Sequence, residues 1–157
     1  MTMLPRPSRS EQISEGRAGG SWPRIILLVE DEPFVREATR SILESVGLEV
    51  LSAADATDAL KVYKESEHAI ELVMTDMILP GRTGRQLGEE LRQLSPKVKV
   101  LVTSGYTHAE YAADEPHSNT YFLAKPYSRQ VLVNKIAEIF DVLSDVLPLS
   151  RAAGQAG

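Results

Sequence analysis

Five polar residues of this chain follow directly on, or close, runs of apolar ones: Glu30 and Asp31 after Ile25 to Val29, Asp76 after Leu72 to Thr75, Ser104 at the end of Val98 to Thr103, and Lys125 after Thr120 to Ala124. Together they supply three carboxylates, a hydroxyl and an ammonium. Three like charges in one small crevice repel strongly unless they are protonated or neutralised, and a hard divalent cation with oxygen ligands is the simplest neutraliser. Mg²⁺ suits the task, because it needs few protein ligands, keeps several waters and leaves positions that a phosphate can occupy. Lys125 would add a counter-charge. The Ser104 hydroxyl can donate to a phosphoryl oxygen, and Gly105 behind it allows close approach of that loop. Each residue alone could be an ordinary solvated terminus, turn former or surface lysine. As a set they are the parts of a phosphoryl-transfer site.

That chemistry requires the five residues to converge, which depends on the elements that carry them. Residues Arg24 to Glu30 form a β-branched, leucine-rich run without polar alternation, the pattern of a strand covered on both faces. A helix is predicted next: Asp31 can cap it, Pro33 suits its first turn, Val35, Ala38, Ile42 and Val46 form its stripe, and Gly47 ends it. The alternation then repeats. Leu48 to Ala53 reads as a strand, Asp55 to Lys64 as a helix burying Ala59, Leu60 and Tyr63, and Leu72 to Asp76 as a buried strand. Pro80, Gly81 and Gly84 mark a loop, and Leu87, Leu91 and Leu94 give a helical stripe ending at Pro96. Val98 to Ser104 is a strand, a short helix is predicted near Thr107 to Glu110, and Thr120 to Ala124 is the last strand. Ser128 then caps a helix with the stripe Leu132, Ile136, Ile139 and Leu143.

Strands alternating with helices imply right-handed crossovers and a flavodoxin-like α/β fold, a doubly wound five-stranded parallel sheet with helices on both faces. In such sheets the functional crevice lies outside the carboxyl ends of the strands, where the five polar residues fall. The organisation expected is a flexible tail over 1–23, one domain over 24–143 and a second flexible tail over 144–157.

Bulk properties narrow the function classes. The chain has 157 residues, 43% hydrophobic, with 17 Lys and Arg against 22 Asp and Glu, a net charge of −5. That suits one domain with a substantial core and disfavours broad attraction to nucleic acid or anionic membranes. The chain has no cysteine, which excludes disulfides, thiolate metal sites and cysteine nucleophiles. Its apolar runs are too short to span a bilayer and no signal-peptide pattern opens it, so a cytoplasmic location is expected. His68, His108 and His117 lie in polar or turn-like contexts and read as surface residues. Trp22, in a Gly-Ser-Trp-Pro setting, marks a domain edge and receives no role.

The segments Leu28-Val29-Glu30-Asp31-Glu32-Pro33, Thr75-Asp76-Met77-Ile78-Leu79-Pro80-Gly81, Thr103-Ser104-Gly105-Tyr106 and Phe122-Leu123-Ala124-Lys125-Pro126 resemble the response-regulator receiver family of two-component signalling. The resemblance runs from Arg24 to about Leu143. It implies that Asp76 is the phosphoacceptor, that Asp31 and the backbone carbonyl of Ile78 join it on Mg²⁺, and that Glu30 acts mainly through water. It further implies that Ser104 and Lys125 bind the phosphoryl group, that Phe122 is the switch aromatic, and that the Lys125–Pro126 peptide is cis. The partners it implies are a sensor histidine kinase or phosphotransfer protein and a downstream protein target. Neither tail has the length or periodicity of a helix-turn-helix, so output through protein contact, without direct DNA binding and without an attached output domain, is expected. The chain would be a signalling protein and no enzyme beyond catalysing its own phosphorylation and dephosphorylation. Ile78 and Tyr106, flanking the acceptor, are expected to slow loss of the phosphoryl group.

Other readings fit less well. A haloacid-dehalogenase-like phosphohydrolase wants a second acid two residues beyond its nucleophile, where this chain has Ile78. A nucleotide-binding protein needs a glycine-rich loop after the first strand, where Glu30-Asp31-Glu32-Pro33 would repel phosphates. A scaffold that binds partners without phosphorylation is a third reading, against which retention of the acids, Ser104 and Lys125 argues and which a phosphorylation assay decides.

Overall fold

The computed structural model describes residues 24–66, 69–105 and 119–141. Both expected tails, the helix expected near Thr107, Tyr106, Leu143, Trp22 and the three histidines lie outside the described residues.

Seven strands and four helices follow one another within the described residues: β1 (Ile25–Val29), α1 (Pro33–Ser45), β2 (Glu49–Ala53), α2 (Ala56–Glu65), β3 (Ile70–Asp76), β4 (Ile78–Leu79), β5 (Arg82–Thr83), α3 (Gly84–Leu94), β6 (Lys99–Ser104), β7 (Thr120–Ala124) and α4 (Arg129–Ile139). Five strands make one sheet in the order β2-β1-β3-β6-β7, and every neighbouring pair in it is parallel. The chain runs outward from β1 to β2 and then crosses to β3, so the order reverses between β1 and β3. This is a flavodoxin-like α/β fold, and its crevice falls where the carboxyl ends of β1 and β3 lie side by side.

Alternation along the strands divides the core between two faces. Ile26 and Leu28 pack with Leu43, Leu132, Val133 and Ile136, so α1 and α4 cover one face. Leu27 and Val29 pack with Ala56, Ala59, Tyr63, Leu87 and Leu91, so α2 and α3 cover the other. Because both faces are covered, β1 has no polar position until Glu30.

The helix starts follow capping chemistry. Asp55 Oδ1 accepts from the Asp58 amide at 2.8 Å at the head of α2, and Ser128 Oγ from the Val131 amide at 3.1 Å at the head of α4. Thr83 and Gln86 form a reciprocal capping box on α3. In α1 the cap expected of Asp31 is absent: Glu32 occupies the N-cap position and makes no side-chain cap, while the Asp31 carboxylate joins those of Glu30 and Asp76. The buried stripe of α1 is also rotated from the expected one. Thr39, Leu43 and Val46 are buried and Ile42 partly so, whereas Val35 and Ala38 face solvent. A polar residue can occupy the inward face because its hydroxyl meets a partner there, Tyr127 Oη. Leu94, expected in the α3 stripe, is exposed on the last turn.

The segment read as a loop around Pro80 is a two-stranded antiparallel hairpin, with Ile78 opposite Thr83, Leu79 opposite Arg82, and Gly81 at φ 73° in the turn. Gly84 is the first residue of α3, and its amide donates to the Met77 carbonyl at 2.6 Å. A Cβ at Gly84 would collide with the backbone carbonyl of Asp76 and come within 3.2 Å of Met77 Cα. The hairpin therefore folds α3 back onto the end of β3 so tightly that only glycine fits. Gly84→Ala is expected to destabilise the protein by about 1–3 kcal/mol, the usual cost of overpacking a closed contact. Urea unfolding measures it, and an unchanged midpoint would show that the contact yields freely.

Candidate functional site

Backbone hydrogen bonds that continue the sheet ladder hold the strand ends that carry the polar residues. The Glu30 amide donates to the Ala53 carbonyl at 3.0 Å, Met77 to Thr103 at 2.8 Å, and Lys125 to Ser104 at 2.8 Å. Asp76, the last residue of β3, stands opposite Thr103, and Ser104, the last residue of β6, stands opposite Ala124. The ends of β1, β3, β6 and β7 are thereby fixed relative to one another before any side-chain contact is made.

The side chains then meet. Oxygens from the carboxylates of Glu30, Asp31 and Asp76 all lie within 4.8 Å of one another. Lys125 Nζ reaches Asp76 Oδ2 at 3.2 Å and Glu30 Oε1 at 3.4 Å. The Glu32 amide donates to Glu30 Oε2 at 3.3 Å, so both Glu30 oxygens have partners, and Glu30 is only 6% exposed. Asp31 is exposed and Asp76 half-buried. An open cavity of about 400 Å³ adjoins the cluster, lined by Asp76, Ile78, Ser104, Gly105 and Lys125. The Lys125–Pro126 peptide is cis.

The structure thus brings together Glu30, Asp31, Asp76 and Lys125, and sets Ser104 and Ile78 on the wall beside Asp76. The Ile78 side chain is 59% exposed. Phe122 stands apart. It lies opposite Val102 on β7, is 7% exposed, and packs on the α2–α3 face of the core. Two further residues carry no motif and were not foreseen. Arg36 on α1 donates from Nη1 to the Glu30 carbonyl at 2.8 Å, which ties the acidic turn to the helix. Gly84 presses on the carbonyl of Asp76, as above; its sequence signal was that of a loop glycine.

The electrostatics follow from crowding. Burial raises the pKa of Glu30; the Glu32 amide and Lys125 pull it back, and Asp76 and Asp31 add to the rise. Burial alone would lower the pKa of Lys125, but the Asp76 and Glu30 carboxylates outweigh it and hold the ammonium above its ordinary value. An all-oxygen set of three carboxylates matches a hard divalent cation, and a hollow lined by Lys125 and Ser104 matches a small anionic group. No helix among the described residues is long and apolar enough to cross a membrane.

Comparison with known proteins gives a consistent picture. The family model described as "Response regulator receiver domain" matches residues 26–137. The sensor kinase CckA of Brucella abortus is 33% identical over 117 residues, 74% of this chain and 12% of that protein. The chemotaxis protein CheY of Treponema pallidum is 25% identical over 135 residues, 85% of this chain and 94% of that protein. A receiver domain protein from Clostridium thermocellum of known structure superposes with a TM-score of 0.68 at 27% identity, covering 74% of this chain and 94% of that one. The chain spans between 12% and 32% of the length of CckA, the Bacillus subtilis regulator YesN and the Vibrio cholerae kinase CqsS.

The raised pKa of Glu30 has a consequence for stability. The folded protein binds the Glu30 proton more tightly than the unfolded chain, so this group favours folding below the ordinary carboxylate pKa and loses that contribution as pH rises through the folded value. In metal-free buffer, Glu30→Gln is therefore expected to unfold at a higher urea concentration than the parent at pH 7, with the gap closing toward pH 4.5. A gap that stays constant over that range would mean that Glu30 ionises as an ordinary carboxylate.

Proposed function

The chain belongs to the response regulator receiver family, and from that premise we propose that Asp76 accepts a phosphoryl group and that the phosphorylated surface signals by protein contact. The observation that carries the reading is the position of the Asp76 carboxylate: 3.2 Å from the Lys125 ammonium, beside two further acids, and open on its other side to a hollow walled by Ser104. An Asp76 oxygen attacks the phosphorus of the donor, either a phosphohistidine of a kinase or phosphotransfer protein or a small acyl phosphate. The new O–P bond forms as the donor's P–N or P–O bond breaks, and the electron pair leaves with the imidazole, which takes up a proton, or with the carboxylate. Lys125 and Ser104 then bind the phosphoryl oxygens, Lys125 by charge and Ser104 by its hydroxyl.

The carboxylates of Glu30, Asp31 and Asp76 fit Mg²⁺, with the Ile78 carbonyl as a further ligand; when bound, it would supply positive charge against the cluster and the phosphoryl oxygens. Asp31 is the exposed acid with an available carboxylate, whereas Glu30 is buried and already engaged at both oxygens, which supports Asp31 as the direct ligand and Glu30 as one acting through water. In this reading, the dianion formed on Asp76 draws Ser104 and Lys125 toward it, and Phe122 responds on the neighbouring strand to reshape the outer face. Phe122 has no hydroxyl to satisfy, so apolar packing alone sets its preference. Ile78 offers no polar group to orient an attacking water, which favours a long-lived acyl phosphate.

Incubation with Mg²⁺ and acetyl phosphate is expected to add one phosphoryl mass to the protein, and none to Asp76→Asn. Equal labelling of the two, or no labelling of the parent, would refute the assignment. In a metal titration, Asp31→Asn is expected to weaken Mg²⁺ binding more than Glu30→Gln does; an equal or inverted effect would reverse the ranking of the two acids.

A further inference from the structure

Thr39 is a hydroxyl in the core. It sits on the inward face of α1, 4% exposed, on the same side as Leu43, and its Oγ1 meets Tyr127 Oη at 3.4 Å across 88 residues of sequence. Tyr127 is half-buried against the cluster that α1 and α4 share with the sheet. Burial raises the pKa of its phenol, so the hydroxyl stays protonated at neutral pH and either oxygen can donate.

The location of this pair gives it a role. Tyr127 is two residues beyond Lys125, and the Lys125 amide is already pinned to the Ser104 carbonyl at 2.8 Å. The turn that carries the lysine is thus held upstream by β6 and downstream by α1. Three residues earlier on α1, Arg36 holds the Glu30 carbonyl at 2.8 Å. One helix therefore fixes both walls of the crevice, the acidic turn through Arg36 and the lysine turn through Thr39. Nζ of Lys125 reaches both Asp76 and Glu30, so displacement of its turn alters those two distances directly.

We propose that Thr39 and Tyr127 are positioning residues for Lys125, a hydroxyl clasp that holds the ammonium where an incoming phosphoryl oxygen will be. The proposal rests on the phosphoacceptor reading above. It separates the lysine wall from the acidic wall: loosening the clasp slows phosphoryl uptake without weakening the affinity of the three carboxylates for a cation, since the ammonium competes with that cation for Asp76 and Glu30.

The test measures two quantities on the full chain, the initial rate of phosphoryl uptake from acetyl phosphate at saturating Mg²⁺ and the Kd for Mg²⁺ alone. Thr39→Val and Tyr127→Phe conserve volume and remove one hydroxyl each. Each is expected to lower the rate about two- to fivefold, as for loss of one long, weak hydrogen bond, with no weakening of Mg²⁺ binding. The double variant is expected to be no slower than either single one, because both remove the same contact. Thr39→Ser keeps the hydroxyl and is expected to retain the parent rate. Lys125→Ala and the parent together separate the proposal from the reading beneath it. If Lys125→Ala labels as fast as the parent, the lysine has no part in uptake and the proposal falls while the Asp76 assignment stands; if the parent itself takes up no phosphoryl group, the underlying reading falls. If Lys125→Ala is slow but Thr39→Val and Tyr127→Phe are unimpaired, the proposal alone is overturned. It is equally overturned if Kd weakens in step with the rate, if Thr39→Ser is as slow as Thr39→Val, or if the single effects multiply, since each of these marks general loosening of the core.

Discussion

Glu30, Asp31 and Asp76 bring three carboxylates to within 4.8 Å of one another, and the backbone that carries them must resist their repulsion. A fully charged pair at that separation repels by about 3 kcal/mol at an effective dielectric of about 20, and by less on the solvent side where Asp31 lies. Much of the surrounding structure answers this load. Ladder hydrogen bonds from Glu30, Met77 and Lys125 fix the strand ends, the Glu32 amide and Lys125 engage Glu30, and Arg36 holds the Glu30 carbonyl. The parallel sheet makes the crowding possible, because only adjacent strands running the same way deliver their carboxyl ends to one edge.

A site assembled in this way is preorganised on one side and open on the other. The sheet and α1 fix the acids and the lysine, whereas the cavity beside Asp76 is walled by Ser104, Gly105 and the exposed Ile78. The arrangement sets an ammonium and a hydroxyl around the hollow beside the Asp76 carboxylate, next to two further acids. That combination explains why the family relationship and the local chemistry lead to the same reading. It also explains why α1 matters beyond packing, since the same helix touches both charged walls.

The parts that sequence made legible are those fixed by local pattern. Ile25 to Val29 announces a doubly covered strand by composition alone, and Ser128 announces a helix start by capping chemistry. The acids, Ser104 and Lys125 were legible because each ends an apolar run and the parallel topology gathers those ends. What escaped depends on contacts between distant residues. Asp31 reads both as a helix cap and as one of the clustered acids, and only the second holds, because Glu32 takes the N-cap position. Thr39 interrupts the apolar pattern of α1, and nothing local marks it as inward-facing, because its partner Tyr127 lies 88 residues away. Gly84 read as a loop residue, when its constraint is the carbonyl of Asp76 pressing on the first turn of α3.

The central claim is that Asp76, among three neighbouring acids, is the one that becomes an acyl phosphate. Borohydride cleaves an acyl phosphate reductively and converts the side chain to an alcohol, so treatment after incubation with Mg²⁺ and acetyl phosphate leaves homoserine wherever an aspartate was phosphorylated. Peptide sequencing by mass spectrometry locates it. The account expects homoserine at position 76 and unmodified Glu30 and Asp31; reduction product at either of those acids with Asp76 intact would contradict it.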